Sequence, residues 1–375
     1  MFDLASVQSL PHETPFFAIS EQLVRQKYEE LARCFTGARI HYVVKANAEP
    51  DVLRPLAKAG SGFEIGSRLE LDLLSAFDVS PDRVVSGSSV KPLRDLVACA
   101  AGGVTRFACD SFEELDKLAE CAPGAQVYVR IAVDGSGHVT SCGGQFGASP
   151  ALAKAILVRT REVGLRPYGL SFHLGSCPPS ARAWARALDD LGPVLGQLAA
   201  AGVPALTINI GGGFPSRCLS SATGIEMLSG IARHTLDAYR RLPYRPQLIL
   251  APGRGLAAES TILVTRVIAR IPRGRHTWLF LDAGVRTGLP ETINGTHRYR
   301  ISSFRRTDGD EGAMMKYCLA GPTGDIRDVV ARDAWLPADL RPGDRLVFHD
   351  VGAVRPRDNG LSKPGVYSIE PEMDA

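Results

Sequence analysis

The 375-residue chain has no run that approaches the ~20 consecutive apolar residues a membrane helix needs. Its opening residues, MFDLASVQSL, lack the basic-then-apolar pattern of a secretory leader. The expectation is therefore a cytoplasmic protein with no membrane partner. An excess of one charge is also missing. Lys and Arg number 43 against 40 Asp and Glu, a net charge of +3, and the basic residues are scattered, which gives nucleic acid no footprint. The eight cysteines (Cys34, Cys99, Cys109, Cys121, Cys142, Cys177, Cys218 and Cys318) form no C-x-x-C pair and no Cys/His cluster. That spacing disfavours zinc and points to reduced thiols, so no metal is expected. No Gly-Lys-Ser/Thr follows a glycine turn, which excludes a Walker loop.

What is present is an ordinary globular composition, 45% hydrophobic and 22% charged, in a chain long enough for two domains. Short apolar segments alternate with amphipathic ones from about residue 20 to about residue 255. ARIHYVVK (38–45), GFEI (62–65), RVVSG (83–87), TRFAC (105–109), QVYVRIAV (126–133), YGLSFHLG (168–175), ALTINIG (205–211) and QLILAPG (247–253) read as buried parallel strands. EQLVRQKYEELARCF, capped by Ser20, and DSFEELDKLAEC, capped by Asp110 or Ser111, read as helices between them. Eight such units favour a closed (β/α)8 barrel over an open doubly wound sheet. Beyond residue 256, segments such as STILVTRVIARI, HTWLFLDAG, HRYRISSF, MKYCLAGP and DRLVFHDVGA read as strands separated by turns. The predicted organisation is an α/β barrel over 21–255 and a β domain, sandwich- or barrel-like, over 256–375 joined by residues 1–20.

Chemistry in such a barrel collects where strands end at their C-terminal edge. Those edges carry Lys45, Glu64, Arg130, His173, Ser176, Gly211–Gly213 and Arg254. A lysine at the end of an apolar strand is costly to desolvate as a cation, so its neutral amine is accessible for Schiff-base chemistry. The turn INIGGGFP has no side chains to block a phosphate. Each residue alone has a plainer explanation: Lys45 as a surface lysine, His173 as a satisfied core histidine, Arg254 as a turn arginine. Their joint occurrence on one rim gives them weight.

In this order the motifs resemble the ornithine/diaminopimelate/arginine decarboxylase family of alanine-racemase-like fold. YVVKAN (42–47) is similar to its cofactor-lysine signature, SFHLGS (171–176) to its stacking histidine and phosphate-binding serine, and INIGGGFP (208–215) to its phosphate loop. APGR (251–254) resembles its Glu-Pro-Gly-Arg motif, GPTGD (321–325) its Gly-Pro-x-Cys-Asp/Glu motif, and FHDVGA (348–353) its late Gly-Ala turn. The resemblance runs from about residue 14 to about residue 365. It implies pyridoxal 5'-phosphate held as a Schiff base on Lys45, with His173 stacked on its ring. Ser176, Gly211, Gly212, Gly213 and Arg254 would hold the phosphate, with Glu64 and Arg130 beside the lysine. It also implies a homodimer with shared sites, in which Asp325 reaches into the partner's site to bind the distal group of an amino-acid substrate. The implied activity is decarboxylation of an amino acid or amino-acid conjugate, in specialised or siderophore metabolism. The alternatives are a racemase or lyase on the same cofactor, or a non-catalytic regulatory homologue.

Three positions depart from the family pattern. Ala251 stands where an acid normally pairs with the pyridine nitrogen, Gly324 where a cysteine normally protonates the substrate carbon, and Val354 where a tyrosine is expected. The segment 282–300 offers Arg286, Arg298 and Arg300 in place of a second acid. Any of these facing the site would favour a substrate with an anionic distal group.

Overall fold

The structure, a computed structural model, describes residue 2 and residues 4–140, 144–178, 180–216, 224–294, 297–304, 312–353 and 364–369. Cys142, Cys218 and Val354 lie outside these. The described residues divide into two compact units. One takes those from 25 to 256 except Ser216, and the other takes those up to 24 and from 257 onward.

After a short helix (Leu4–Gln8), the first strand, β1 (Phe16–Ile19), belongs to the second unit. The first unit is a closed parallel barrel of β2 (Arg39–Val43), β3 (Gly62–Ile65), β4 (Val84–Ser86), β5 (Arg106–Cys109), β6 (Gln126–Arg130), β7 (Arg166–Ser171), β8 (Thr207–Asn209) and β9 (Gln247–Leu250). β9 returns to pair with β2, so no strand edge is left open. The strands are apolar because they pack on both faces. Val85, Ala108, Tyr128 and Tyr168, from four consecutive strands, form one buried cluster. Helices separate the strands, and their starts are capped as their sequences suggest. Ser20 Oγ accepts from the Leu23 amide at 3.2 Å and Ser111 Oγ from the Glu114 amide at 3.2 Å. Asp110 is not the cap; its carboxylate accepts from the Gly147 amide at 2.8 Å.

The second unit is a mixed sheet in the order β12 (Ile301–Ser303), β15 (Arg345–Phe348), β10 (Thr261–Arg273), β11 (His276–Leu281), β13 (Met314–Ala320) and β14 (Val329–Pro337), with β1 between β10 and β16 (Gly365–Ser368). Period-two alternation divides its core. Phe17, Leu263, Leu346 and Phe348 join the larger cluster on one face, whereas Phe16, Ile262, Val264 and Val347 join the smaller one on the other. β14 is the least legible of these strands, because Arg332, Asp333 and the exposed Trp335 break its apolar alternation. Asp328, buried just before it, joins two loops. Its carboxylate accepts from the Val285 amide (2.7 Å), the Thr323 amide (3.2 Å) and the Thr323 hydroxyl (2.6 Å).

Each unit holds a buried histidine whose pKa is lowered to about 4. His41 owes this to desolvation first and then to Arg106 and Arg39; His349 owes it to desolvation and then to Arg300. The unfolded chain takes up protons at these rings below about pH 6.5, whereas the folded chain does so only near pH 4. Their contribution to stability is therefore complete above pH 6.5 and lost as pH falls towards 4. Denaturant midpoints should drop between pH 7 and pH 4.5, and His41→Phe should shrink the drop. Equal drops in both proteins would contradict this assignment.

Candidate active site

The C-terminal rim of the barrel is built by backbones that touch. Gly211 has φ +70°, and a Cβ there would lie 2.3 Å from the Phe172 carbonyl oxygen and 3.2 Å from His173 Nδ1. At Gly212 a Cβ would meet the Ala251 oxygen at 2.5 Å, and at Gly213 (φ +85°) the Gly175 oxygen at 2.2 Å. Real Cβ atoms do not approach that closely, so this turn is side-chain-free by necessity. Hydrogen bonds fix it to both neighbouring loops. The Cys177 amide donates to the Gly213 oxygen (3.1 Å), and the Ala251 amide donates to the Gly211 oxygen (2.9 Å). The positive charge of Arg254 opposes the burial that raises the Cys177 thiol, which places its guanidinium beside the Ser176–Cys177 loop. Ser176 itself is exposed on that rim.

Lys45 lies just beyond β2, in a single 3-10 turn (Val44–Ala46), and is exposed. The turn is pinned by the Val43 amide, which donates to the Pro252 oxygen at 3.0 Å, and by Gly253, where a Cβ would lie 3.0 Å from that of Ala46. Lys91 is unlike it: buried, its amine is held by Glu114 (2.8 Å) and by the Ser88 and Ala108 oxygens (2.9 and 2.6 Å). Burial raises the pKa of Glu64, opposed by the positive charges of Lys45 and Arg130 and by a hydrogen bond from Asn209. Its side chain lies across Gly87, where a Cβ would come within 2.3 Å. His173 is exposed at the mouth, with neighbouring atoms that partly desolvate its ring. Its pKa falls to about 4, by desolvation first, then by Arg130 and Lys45. The ring is thus neutral near pH 7, and Nδ1 accepts from the Gly212 amide at 3.3 Å.

Lys45, Glu64, Arg130 and His173 therefore form one electrostatically coupled group, with Gly211–Gly213, Ser176 and Arg254 interlocked on the same rim. Asn209 was not singled out in the sequence, although it joins the two sets. Its Oδ1 accepts from the Gly211 amide (2.9 Å) and its Nδ2 donates to Glu64 (3.3 Å). The only signal for it was a polar residue inside the apolar strand segment TINI. Gly211 and Gly212 thus have their amides engaged within the protein, and their contribution to the turn is chiefly its shape.

Asp325 lies in the other unit. Arg286 grips its Oδ2 through Nη2 (2.7 Å) and Nε (3.2 Å), and the Arg327 amide donates to Oδ1 (2.9 Å). The Arg327 amide, then the guanidiniums of Arg286 and Arg327, hold its carboxyl well below the usual carboxylate range. Of the other arginines, Arg298 pairs with Asp333 at 2.8 Å, and Arg300 lies beside His349. Gly324 has φ +73° with open space around it, so a side chain there would be strained by the backbone and not by neighbours.

Comparison with known proteins identifies the class. Residues 21–258 match the family model for the pyridoxal binding domain of the pyridoxal-dependent decarboxylases. The lysine/ornithine decarboxylase of Selenomonas ruminantium is 30% identical over 369 residues, covering 96% of this chain and 92% of the relative. Among solved structures, Vibrio vulnificus lysine/ornithine decarboxylase complexed with cadaverine superposes with a TM-score of 0.87 at 26% identity, covering 98% of this chain and 97% of that one. The Paramecium bursaria Chlorella virus arginine decarboxylase bound to agmatine gives 0.88 at 25%, covering 98% and 99%. These matches define a pyridoxal 5'-phosphate enzyme built on a (β/α)8 barrel. The chain belongs to the pyridoxal-dependent decarboxylases, which makes it a carboxy-lyase.

The residues present fit that cofactor. An accessible amine, a neutral imidazole, a turn that excludes side chains and an arginine share one rim. The buried Tyr128 hydroxyl beside Glu64 also finds no hydrogen-bond partner among the described residues. Gly211→Ala should weaken cofactor binding at least about tenfold, since it strains both φ and packing. Gly196→Ala, within a helix and with open space at its Cβ, should leave binding unchanged. Titrating the cofactor-free proteins with pyridoxal phosphate and following visible absorbance checks both. Equal affinities would refute the necessity of the bare turn.

Proposed function

We propose that Lys45 is the covalent attachment point for pyridoxal 5'-phosphate, and that the barrel mouth removes the α-carboxylate of an amino acid or amino-acid conjugate whose distal end is anionic. Bound there, pyridoxal 5'-phosphate would supply a conjugated sink for the electrons left at the α-carbon. The residues do the rest. His173 presents an uncharged ring for stacking. Ser176, Arg254 and the turn 211–213 receive the phosphate, while Glu64 balances the charges of Lys45 and Arg130. Gly324 offers no proton, so the proton replacing the carboxylate comes from another group or from solvent.

The observation that carries the substrate reading is the ion pair of Arg286 with Asp325. Cadaverine and agmatine, bound by two of the similar structures, are cationic at both ends. A lone aspartate suits such an end, whereas an aspartate already gripped by a guanidinium presents positive charge as well. Such a substrate is at home in specialised pathways, siderophore assembly among them. We place the enzyme in the cytoplasm as a homodimer, with the Asp325 loop of one subunit serving the partner's barrel.

Carbon dioxide release should be faster from 2-aminoadipate than from lysine or ornithine, and absent in Lys45→Ala. Arg286→Ala should shift the ratio towards lysine by about tenfold, the worth of one charged contact. Preference for lysine or ornithine in the unaltered enzyme would overturn the substrate reading. Mixing Lys45→Ala with Asp325→Ala should restore part of the activity through heterodimers, and a fully active monomer would exclude shared sites.

A further inference from the structure

Asn209 bridges the glycine turn and the carboxyl of Glu64 with one side chain. Its carbonyl oxygen closes a turn on the amide two residues ahead, Gly211, at 2.9 Å, which is the arrangement asparagine adopts in an Asx turn. Its amide nitrogen reaches across the barrel from β8 to Glu64 on β3, at 3.3 Å. The orientation of the side-chain amide is set at both ends, because a backbone N–H demands the oxygen and a carboxylate demands the nitrogen. The residue is buried, and the turn it closes packs against Phe172 and Ala251.

We infer that Asn209 is a positioning residue that couples the phosphate-side turn to the lysine-side carboxyl. Its oxygen fixes the turn 211–213, and its nitrogen donates to Glu64 and so favours the carboxylate over the acid beside Lys45. This rests on the reading of the barrel mouth as the cofactor site. Glu64 is faced by Lys45 and Arg130, which favour its charge, and by Glu70 and the Tyr128 hydroxyl, which oppose charge near them. Burial works against the ionised form and raises the pKa on balance, and the Asn209 N–H is one of the contributions that oppose it.

The two arms separate by substitution. Serine at 209 can still close the turn on residue 211 but is too short to reach Glu64. Alanine loses both arms. The readouts are the affinity of the cofactor-free protein for pyridoxal phosphate and the acid-side transition of the visible band in the loaded protein. Asn209→Ser should keep affinity within about threefold while the transition midpoint rises by about one pH unit, the worth of one hydrogen bond to a charged group. Asn209→Ala should show the same rise together with an affinity loss of about tenfold. In a Glu64→Gln background the transition should be absent and Asn209→Ser should have no further spectral effect. A midpoint that stays put in Asn209→Ser, or a shift that persists in the Glu64→Gln background, overturns the inference. Absence of a visible band in the unaltered protein would instead refute the cofactor reading beneath it.

Discussion

At the rim of the barrel the ends of β7, β8 and β9 meet backbone to backbone. Gly211, Gly212 and Gly213 press against the carbonyls of Phe172, Ala251 and Gly175 with no room for a single methyl group. Everything else in the site is placed relative to this contact. The His173 ring is held by the Gly212 amide, the Ser176 loop by the Gly213 oxygen, and the Ala251 turn by the Gly211 oxygen. The Lys45 turn is in turn fixed to Pro252 and Gly253. Close packing of this kind is paid for by glycine's entropy and returns rigidity, which a site that orients a cofactor requires.

Electrostatics in the barrel mouth follow from that geometry. Lys45 and Arg130 bring two positive charges to a poorly hydrated recess, and their field helps to keep His173 neutral. Glu64 lies among them, its pKa raised by burial and that rise opposed by these cations and by Asn209. Ala251 brings no charge to this rim; it is buried, and its carbonyl packs on Gly212. The other unit carries a tighter charge pair. Arg286 adds a charge that neutralises Asp325, held in a pair of loops that the buried Asp328 ties together.

The barrel and its rim were legible because their causes are local. Eight apolar segments with helical intervals imply closure, and GGG or HLGS at a strand end marks a place where side chains are unwelcome. Asn209 and Asp328 were not legible, because their importance lies in partners 145 and 43 residues away in the chain. The Arg286–Asp325 pair, 39 residues apart, likewise could be suspected from charge but not placed. β14 was obscured by its mixed exposure, since a half-solvated strand carries charged residues that weaken the alternation read from sequence.

The central claim is that Lys45, and no other lysine, carries the cofactor. Lys91 has its amine consumed by Glu114 and two carbonyls, and Lys316 lies over the Trp335 ring in the second unit. The direct measurement is borohydride reduction of the loaded protein followed by peptide mapping. The account predicts that the reduced cofactor remains on the peptide containing YVVKANAEP. Recovery of the label on a peptide containing Lys91 or Lys316 would contradict it.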